Sequence, residues 1–339
     1  MSDNRTASVV AITGAGSGIG LAAALHYAGK GWSVGLIGGG EAALDDATRR
    51  VEALGVQAHF ARADVADSAA LDAAATLIEA ALGPIDVWVN NAGIGFYGLF
   101  EDVPEDAFRR VVDVNLFGTI NGTRTALARM RPRNRGTIVQ ILSAIAYRGV
   151  PLQTAYSATK YGLRGFTEAL QAELVHERSA VQVTMVHPPS VNTPFYSHAG
   201  SVMDAAPRPP PPVYEPEMLG EAIYLAGTVT RREWVVGEQA AGIKLLNQIA
   251  PGVLDKVSGA VAVPLQKTTR QPVADRRDPN TFTPSRRAAG MHGPFDRGAL
   301  PASLQWWMTK RSAPVRAVVV STGFSLMALG ALALLRPRR

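Results

Sequence analysis

A tyrosine and a lysine at helical spacing are the two side chains of this sequence best suited to acid–base chemistry. Tyr156 and Lys160 are four positions apart, so in a helix both side chains project from one face. A free tyrosine titrates near pH ~10 and is a poor proton donor at neutrality, but a neighbouring positive charge favours the phenolate and lowers the pKa. Ser143, thirteen positions before Tyr156, could hold a substrate oxygen beside that phenol. Taken alone, such a pair is more often an exposed feature of a helix, because short motifs match by chance.

A glycine-rich turn near the N-terminus offers a second kind of chemistry. Val9–Ile12 predicts a short strand, Thr13–Gly20 has the pattern Thr-Gly-x-x-x-Gly-x-Gly, and the apolar residues 21–25 begin a predicted helix. Strand, turn and helix form the context that a dinucleotide-binding turn requires, since glycine lets the backbone approach a pyrophosphate at the helix N-terminus. The alternative is a glycine turn without a ligand. The order of the three elements favours the dinucleotide site.

The loop after the second predicted strand bears on the choice of cofactor. In dinucleotide-binding folds this strand ends near the adenosine ribose, where an acidic side chain favours NAD and a basic one favours the 2′-phosphate of NADP. Here Ser33–Ile37 is followed by Gly38, Gly39 and Gly40, which supply neither charge. Because no carboxylate is present to repel a phosphate, the sequence slightly favours NADP(H) over NAD(H).

Predicted strands and helices alternate along most of the chain. Further strands are predicted at Val56–Ala61, Ile85–Val89, Gly136–Leu142, Val181–Val186 and Trp234–Val236. Helices are predicted at Glu41–Leu54, Ser68–Leu82, Glu105–Met130, Ala155–Glu177 and Glu217–Ala226, and a proline-rich loop or lid at Phe195–Pro216. The alternation predicts an α/β fold, a Rossmann-type doubly wound parallel sheet of about seven strands flanked by helices.

Small polar residues follow several of these strands, at the sheet edge where open α/β folds bind ligands. Asp64 is either an adenine-side contact or a helix cap, and Asn90–Gly93 is either a turn against a cofactor or a plain Asx turn. Asn115 lies among apolar neighbours of a predicted helix, where a buried amide must be hydrogen-bonded. Ser143 stands at the C-terminal end of a β-branched strand, which places it at the same edge.

The sequence resembles the short-chain dehydrogenase/reductase family in the order and spacing of its motifs, over residues 6–245. The motifs are Thr13-Gly14-x-x-x-Gly18-x-Gly20, Asn90-Asn91-Ala92-Gly93, Asn115, Ser143, Tyr156-x-x-x-Lys160 and Pro188-x-x-Val191-x-Thr193. Each motif alone is of modest specificity. Their coincidence in order makes a functionless Tyr156–Lys160 pair a poor explanation.

The resemblance implies an NAD(P)-dependent oxidoreductase acting on CH–OH groups, which interconverts a carbonyl and a secondary alcohol by hydride transfer. It implies that Tyr156 is the general acid/base and that Lys160 lowers the Tyr156 pKa and binds the nicotinamide ribose. It implies that Ser143 donates to the substrate carbonyl and that Asn115 anchors a proton-relay water. The cofactor-binding residues that it implies are Gly14, Ser17, Gly18, Ile19, Gly20, Asp64, Val65, Asn91, Ala92, Gly93, Tyr156, Lys160, Pro188, Val191 and Thr193.

Two features depart from the family pattern. Pro189 replaces the usual glycine, which removes a backbone N–H and stiffens the loop over the nicotinamide, and Gly38 with Gly39 leaves the cofactor choice open. Two other functions stay open: an isomerase or dehydratase on the same fold, and an NAD(P)-binding scaffold or redox sensor without turnover. The three-residue gap in the glycine turn and the lack of a large sugar-binding domain disfavour the isomerase or dehydratase. The helices around 105–130 and 155–177 would suit a homodimer or homotetramer, although their periodicity suits core packing equally.

Composition and charge exclude several other classes of protein. Hydrophobic residues make up 47% and charged residues 18% of the 339 positions, which suits a packed domain rather than a disordered chain. The chain has no cysteine, so a disulfide framework and a Cys-ligated zinc are excluded, and no metal site is predicted. Residues 1–263 contain 21 Lys/Arg and 25 Asp/Glu, whereas residues 264–339 contain 13 and 3. The core is therefore not basic, and no nucleic-acid partner is expected.

The basic C-terminal quarter predicts a different environment. We expect a Rossmann-fold oxidoreductase domain at 1–250, a basic, proline-spotted extension at 251–314 and a transmembrane helix at 315–335. That helix would contain nineteen consecutive uncharged residues, and Trp306 and Trp307 before it could form an interfacial belt. The alternative is a buried Ala/Gly-rich helix or an oligomer contact. The extension is expected to lie on the core as an extended arm or to be partly disordered.

The expected membrane helix leads to expectations about location and substrate. Met1–Ser8 lacks the apolar core of a signal peptide, so the catalytic domain is expected in the cytoplasm, anchored to the membrane by the C-terminal helix. A membrane-bound enzyme suits a small lipophilic carbonyl or alcohol substrate. The aromatic residues expected around its pocket are Phe96, Tyr97, Phe100, Tyr147, Phe195 and Tyr196, although aromatic residues are more often plain core.

Overall fold

A parallel β-sheet runs through the centre of the protein. The computed structural model describes residues 7–268, 279–284 and 290–311, and seven of its strands hydrogen-bond in the order β3-β2-β1-β4-β5-β6-β7. They are β1 (Val9–Thr13), β2 (Ser33–Gly38), β3 (Ala58–Arg62), β4 (Ile85–Asn90), β5 (Thr137–Ile141), β6 (Gln182–His187) and β7 (Glu233–Val235), each within two residues of its predicted bounds. The chain begins in the middle of the sheet and winds outward in both directions, which confirms the predicted Rossmann-type fold.

Helices cover both faces of this sheet. The longer ones are α1 (Gly18–Ala28), α2 (Glu41–Glu52), α3 (Ser68–Leu82), α4 (Glu105–Val112), α5 (Gly118–Met130), α6 (Thr154–His176), α7 (Pro216–Thr228), α8 (Glu238–Ile249) and α9 (Leu304–Arg311). α1, α2 and α7 contribute to one apolar core, and α3, α5 and α6 contribute to another. In β1 the side chains alternate between them: Val10 and Ile12 belong to the first core, Val9 and Ala11 to the second. A strand buried on both faces is apolar throughout, which explains its unbroken hydrophobic run.

The prediction of one helix over Glu105–Met130 is wrong in one respect. A π-turn at Asp113–Phe117 separates α4 from α5 and adds a residue to the helical repeat. The turn places Asn115 in the interior, 0% exposed, where its amide contacts the backbone of Ile94. Apolar periodicity could not indicate this turn, because the residue that marks it is a buried amide.

The proline-rich stretch Phe195–Pro216 is not a plain loop. It contains a short helix at Phe195–His198 and two short strands, with Gly200–Ser201 pairing to Phe96–Tyr97, and Val213–Tyr214 pairing to Ser190–Val191. The prolines prevent long strands because they cannot donate a backbone hydrogen bond, but the residues between them can still form two-residue strand pairings. The prediction of a loop is therefore wrong at these positions.

The described parts of the C-terminal extension lie on the core, but they are partly helical rather than a purely extended arm. After α8 the chain forms the short helical elements Pro251–Val257, Ser258–Ala262 and Val263–Leu265. Farther along, Ala299–Leu300 pairs in parallel with Val213–Tyr214, and α9 follows. The domain boundaries at 250 and 314 stay a prediction.

The two tryptophans of α9 have different environments. Trp306 is 3% exposed, its ring lies 6.0 Å from that of Trp234, and its Nε1 donates to Glu221 Oε2 at 2.8 Å. Trp307 is 47% exposed, and the Arg311 guanidinium lies 3.8 Å from its ring centroid. The expectation of an interfacial belt is therefore wrong for Trp306, because that indole is buried in the core with its N–H satisfied.

No helix among residues 7–268, 279–284 and 290–311 is both long enough and apolar enough to cross a bilayer. The predicted transmembrane helix at 315–335 lies outside these ranges and stays a prediction, as does the expected homodimer or homotetramer. α9, which ends at Arg311, is the last described element before it.

The contrast between the two tryptophans gives a test of how α9 is docked. Trp306→Ala should lower the free energy of unfolding by about 4 kcal/mol, because it deletes a buried aromatic side chain and leaves a cavity beside Trp234. Trp307→Ala removes the same side chain from an exposed position and should cost less than about 1 kcal/mol. Urea denaturation followed by circular dichroism measures both. Equal losses of unfolding free energy in the two variants would contradict the docking of α9 through Trp306.

Candidate active site

A cavity of about 510 Å³ opens at the carboxyl edge of the central sheet, between the glycine turn after β1 and helix α6. The predicted site residues that line it are Gly14, Ser17, Gly18, Ile19, Asp64, Val65, Asn91, Ala92, Gly93, Ser143, Tyr156, Lys160, Pro188, Val191 and Thr193. Gly38, Gly39 and Pro189, where the sequence departs from the family pattern, also line it. Gly20 and Asn115 do not. The structure thus brings the predicted residues together, and their individual roles stay predictions.

The glycine turn is shaped by close contacts that exclude side chains. Gly14 and Gly18 have φ angles of 66° and 51°, in the left-handed region that favours glycine. A Cβ atom at Gly20 would lie 2.1 Å from the carbonyl oxygen of Gly14, so α1 could not begin where it does with any other residue there. Ser17 is the N-cap of α1 and makes no side-chain capping bond to it. The turn and the helix N-terminus therefore form a cradle that suits an anionic pyrophosphate.

Asn91 braces this turn from the loop after β4. Its Nδ2 donates to the carbonyl oxygens of Thr13 at 3.0 Å and Gly14 at 3.2 Å. In return, the Thr13 hydroxyl oxygen accepts from the backbone N–H groups of Asn91 at 3.0 Å and Ala92 at 3.1 Å. A plain Asx turn would keep its bonds within the loop, whereas these bonds pack the loop against the glycine turn, and its contact with a cofactor stays a prediction.

Lys160 is a buried cation held by the sheet. It is 4% exposed, and its Nζ donates to the carbonyl oxygen of Ile141, the last residue of β5, at 2.8 Å. Nζ lies 5.3 Å from the ring centroid of Tyr156. Burial lowers the pKa of Lys160 to about 8, so the side chain is still mostly protonated at neutral pH. The spacing of Tyr156 and Lys160 on α6 therefore places an ammonium group beside the phenol, as the helical pattern predicts.

Tyr156 is a buried, neutral phenol that lines the cavity together with Ser143. Burial raises the pKa of Tyr156 above its usual value, and the neighbouring Ser143 side chain lowers it in part. Burial changes the pKa of Tyr156 more than any neighbouring group does, so the pKa is raised. This differs from the expectation that Lys160 lowers the pKa of Tyr156 toward neutral pH. The ring also makes an edge contact with Phe195 at 5.7 Å. A protonated phenol beside a hydroxyl group can donate a proton to a ligand oxygen placed between them.

Asn115 holds the loop after β4 rather than facing the cavity. Its Oδ1 accepts from the Ile94 N–H at 2.8 Å, and its Nδ2 donates to the Ile94 carbonyl oxygen at 2.9 Å. The Asn115 carbonyl accepts from the Thr119 hydroxyl at 2.9 Å. These bonds satisfy the buried amide, as the sequence requires. Its role as the anchor of a relay water stays a prediction.

Asp64 is paired with a cation at the far end of the cavity. Its Oδ2 lies 2.5 Å from Arg110 Nη2, and its Oδ1 accepts from the Ala66 N–H at 3.0 Å. The N-cap of α3 is Asp67, whose side chain accepts from the first turn of that helix. The alternative of a helix cap is therefore wrong for Asp64, and its contact with adenine stays a prediction.

A buried polar cluster behind Ser143 was not predicted from the sequence. The Nδ1 of His187 lies 3.2 Å from the Ser143 carbonyl oxygen, and its ring stacks on Tyr147 at 4.5 Å. The Tyr147 hydroxyl donates to Glu233 Oε2 at 2.8 Å, and Glu233 is paired with Lys244. Burial lowers the pKa of His187 to about 4, so the imidazole is neutral and donates from Nδ1 to the carbonyl. The polar triplet of His187, Tyr147 and Glu233 fixes the backbone that carries Ser143.

Three of the six aromatic residues expected around the substrate line the cavity, namely Tyr97, Phe195 and Tyr196. The expectation is wrong for Tyr147, which belongs to the cluster behind Ser143, and for Phe96 and Phe100. Phe96 packs against the core, and Phe100 is 67% exposed beside Phe108. An aromatic residue fits a core as well as a pocket, so residue type alone could not separate them.

Two parts of the lining lie outside the family motifs. Apolar side chains from the helical run after α8, among them Val257, Val261 and Leu265, close one side of the cavity. Phe282 and Pro284 of the C-terminal extension close another. Neither group has a sequence signal, since they reach the cavity only through tertiary packing.

Glu215, Glu217 and His292 place side-chain ligand atoms within 4.8 Å of one another, although the sequence predicts no metal site. His292 Nε2 lies 2.9 Å from Glu217 Oε1, and both side chains are exposed. An exposed ion-pair cluster of this kind needs no cation, so no metal is assigned to it.

The sequence pattern of the short chain dehydrogenase family matches residues 8–202. The chain is 32% identical to the uncharacterized oxidoreductase YxnA of Bacillus subtilis over 306 residues, which cover 90% of this chain and 83% of the relative. It is 34% identical to the putative oxidoreductase SadH of Mycobacterium tuberculosis over 249 residues, 71% of this chain and 90% of the relative.

Solved structures share the fold. An actinorhodin polyketide ketoreductase solved with NADPH has a TM-score of 0.61 and 29% sequence identity, covering 68% of this chain and 95% of its own. An alcohol dehydrogenase from Thermococcus sibiricus has a TM-score of 0.59 and, at 24% identity over the same share of this chain, shows the fold alone. The family match over 8–202, the relatives and the Rossmann sheet agree. The chain therefore belongs to the short-chain dehydrogenase/reductase family and is an NAD(P)-dependent oxidoreductase.

Proposed function

We propose that this protein interconverts a carbonyl and a secondary alcohol with NADP(H), using Tyr156 as the general acid/base. The observation that carries the proposal is that one cavity joins the glycine cradle at Gly14 and Gly18 to the side chains of Ser143 and Tyr156. When bound there, the nicotinamide supplies or accepts the hydride. The protein's own residues then have to bind, orient and exchange one proton.

The cofactor would be held from three sides. The cradle residues Gly14, Ser17, Gly18, Ile19 and Gly20 would receive the pyrophosphate at the N-terminus of α1. Val191 and Thr193, with Pro188, line the part of the cavity expected for the nicotinamide, and the Lys160 ammonium would face its ribose. The lack of a carboxylate at Gly38 and Gly39 supports NADP(H) over NAD(H), as does NADPH in the related ketoreductase.

In the reductive direction, the Ser143 hydroxyl would hold the substrate carbonyl oxygen next to the phenol. As hydride adds to the carbonyl carbon, the oxygen gains charge and takes the proton of Tyr156. Burial keeps that proton on the phenol until then, because it raises the pKa of Tyr156. The buried Lys160 ammonium stabilises the phenolate that is left behind, and in the oxidative direction the same phenolate removes the alcohol proton.

The role of Tyr156 can be tested with a matched pair of tyrosines on α6. Tyr156→Phe should lower kcat for a panel of aldehydes and ketones by about 10³-fold, because the proton donor is lost while the ring remains. Titration with NADPH and NADH, followed by nucleotide fluorescence, should show affinities close to those of the wild type. Tyr161→Phe, which removes a hydroxyl bonded to the Tyr147 carbonyl, should keep normal turnover. Equal turnover of both variants would favour a scaffold or sensor instead.

We infer that the substrate is a small lipophilic carbonyl or alcohol. Tyr97, Phe195 and Tyr196 on one side of the cavity and Val257, Val261 and Leu265 on another give it a largely apolar wall. Apolar walls bind a substrate by removing its hydrocarbon from water and contribute little orientation beyond that. The polar atoms of Ser143 and Tyr156 are then left to position the reacting oxygen.

A homologous series of 2-alkanones tests this inference. KM should fall about fourfold per added methylene until the cavity is filled, because each buried methylene contributes ~0.8 kcal/mol. Phe195→Ala should weaken this trend, whereas Phe100→Ala, at an exposed position outside the cavity, should preserve it. A KM that does not change along the series in the wild type would contradict a lipophilic substrate.

We further propose that residues 315–335 anchor the chain in a membrane, with the catalytic domain in the cytoplasm. The uncharged run 317–335 supports this, and so does an exposed apolar surface on α9 and on α8, against which α9 packs. Leu246 and Ile249 of α8, Val253 after it and Met308 of α9 are each at least half exposed. Such a surface is costly in water and is suited to lie against a bilayer.

Fractionation of full-length protein tests the anchor. The wild type should stay with membranes after an alkaline carbonate wash. The double variant Leu326→Arg with Leu329→Arg should be released, because each central arginine costs about 2.5–3.5 kcal/mol of insertion. Leu77→Arg, at a position of α3 that is 56% exposed, is the control and should stay with membranes. Full-length protein found wholly in the soluble fraction without detergent would contradict the anchor.

A further inference from the structure

The C-terminal extension contacts the loops around the cavity at two places, and the first of these also lines the cavity itself. The first is the segment 279–284. The Asn280 N–H donates to the His198 carbonyl at 2.9 Å, and Arg110 Nε donates to the Thr281 carbonyl at 3.1 Å. Arg110 is the same side chain that pairs with Asp64, so one guanidinium joins the extension to the predicted adenine side of the cavity. Thr281 is 4% exposed, so the segment is anchored in the protein at this residue, whereas Phe282, Thr283 and Pro284 are exposed.

This first segment packs against the loop after β2. A Cβ atom at Gly39 would lie 2.7 Å from Cγ of Pro284 and 3.2 Å from its Cβ. Gly38, Gly39, Phe282 and Pro284 all line the same cavity. The loop that lacks a charged side chain for the adenosine ribose is therefore the loop against which the extension packs, and it is glycine where the proline ring needs the space.

The second place is the segment 290–296, which contacts the glycine turn and the nicotinamide loop together. The Gly18 N–H donates to the Gly290 carbonyl at 3.1 Å. The Gly293 N–H donates to the Asn192 carbonyl at 3.3 Å, and a Cβ atom at Gly293 would lie 2.4 Å from the Thr193 carbonyl oxygen. This backbone-to-backbone approach leaves no room for a side chain at Gly293.

Asn192 locks the second segment in place. It is 0% exposed and lies between Val191 and Thr193, the two residues assigned to the nicotinamide loop. Its Oδ1 accepts from the Phe295 N–H at 3.1 Å, and its Nδ2 donates to Asp296 Oδ1 at 2.8 Å. A buried amide with both ends bonded to the extension couples the position of the extension to that of the loop.

We propose that the segments 279–284 and 290–296 form a strap that completes the dinucleotide site. The strap supplies the wall at the adenosine ribose that the loop after β2 lacks, and it holds the two loops that contact the pyrophosphate and the nicotinamide. A dinucleotide bound in the cavity leaves only when the strap opens. This inference rests on the proposed NADP(H) site, and the experiments below separate the two.

A reversible cross-link tests the strap at its first segment. The chain has no cysteine, so Gly39→Cys with Pro284→Cys introduces one defined pair. A Cβ atom placed at Gly39 lies 3.2 Å from Cβ of Pro284, which is close to the ~3.5–4.5 Å between the Cβ atoms of a disulfide. The variant is loaded with NADPH, oxidised, and diluted into excess NADP⁺ while nucleotide fluorescence is followed. Release should be at least about tenfold slower than after reduction with dithiothreitol, since opening would then require breaking a covalent bond.

Equal release rates in the oxidised and reduced forms would overturn the strap. Failure of the cysteines to cross-link in folded protein would also overturn it, because Pro284 would then not lie on Gly39.

A loosening variant tests the second segment in the opposite direction. Gly293→Ala should raise the NADPH dissociation rate constant and Kd by about tenfold, because the added Cβ displaces the segment from Thr193 and its hydrogen bonds to Asn192 are lost. Gly252→Ala is the matched control, since a Cβ there meets nothing within 4 Å, and it should leave both constants unchanged. Circular dichroism melting establishes that both variants are folded.

Nucleotide binding by the wild type distinguishes a failure of the proposed function from a failure of the strap alone. If it binds neither NADPH nor NADH, the proposed function fails and the strap fails with it. If it binds NADPH and Gly293→Ala releases the nucleotide at the wild-type rate, the strap alone is overturned. Should Gly293→Ala fail to fold, the oxidised and reduced forms of the cysteine variant decide the question by themselves.

Discussion

The close approach of the glycine turn to the loop after β4 is the constraint on which the rest of the structure depends. The carbonyl of Gly14 occupies the space that a side chain at Gly20 would need, and Asn91 donates two hydrogen bonds into the same turn. α1 can therefore begin directly at the carboxyl edge of the sheet, with its N-terminus toward the cavity. A larger residue at Gly20 would push α1 away from Gly14 and Asn91, and the cradle would lose its shape.

Burial shifts the pKa values of the titratable groups in the site, and residues at and just after the end of β5 interact with each of these groups. Desolvation acts on Lys160, Tyr156 and His187, and in each case it favours the neutral form. The Ile141 carbonyl accepts from Lys160, the Ser143 carbonyl accepts from His187, and the Ser143 side chain lowers the pKa of Tyr156 in part. Residues 141–143 thus contact two buried titratable groups through the backbone and a third through the Ser143 side chain, so a shift of this stretch would change the surroundings of all three.

Local patterns predicted the sheet, and most of the predicted site residues line the cavity, because runs of β-branched residues and the Gly14–Gly20 spacing act over a few positions. What the sequence could not predict depends on distant contacts. The π-turn around Asn115 follows from a buried amide reaching the loop after β4, and Tyr147 belongs behind Ser143 because His187 and Glu233 lie there. The strap is the extreme case, since nothing local to residues 279–296 indicates a dinucleotide.

The bond between Gly18 and Gly290 joins the beginning of the fold to a segment near the end of the described chain. Contacts of such long sequence separation form late in folding, because the entropy of closing the loop between them opposes them until the intervening structure exists. During synthesis, the Rossmann sheet can therefore assemble while the extension is still emerging from the ribosome. The wall of the cofactor groove is added last, so a truncated or stalled chain would have the cradle without its cover.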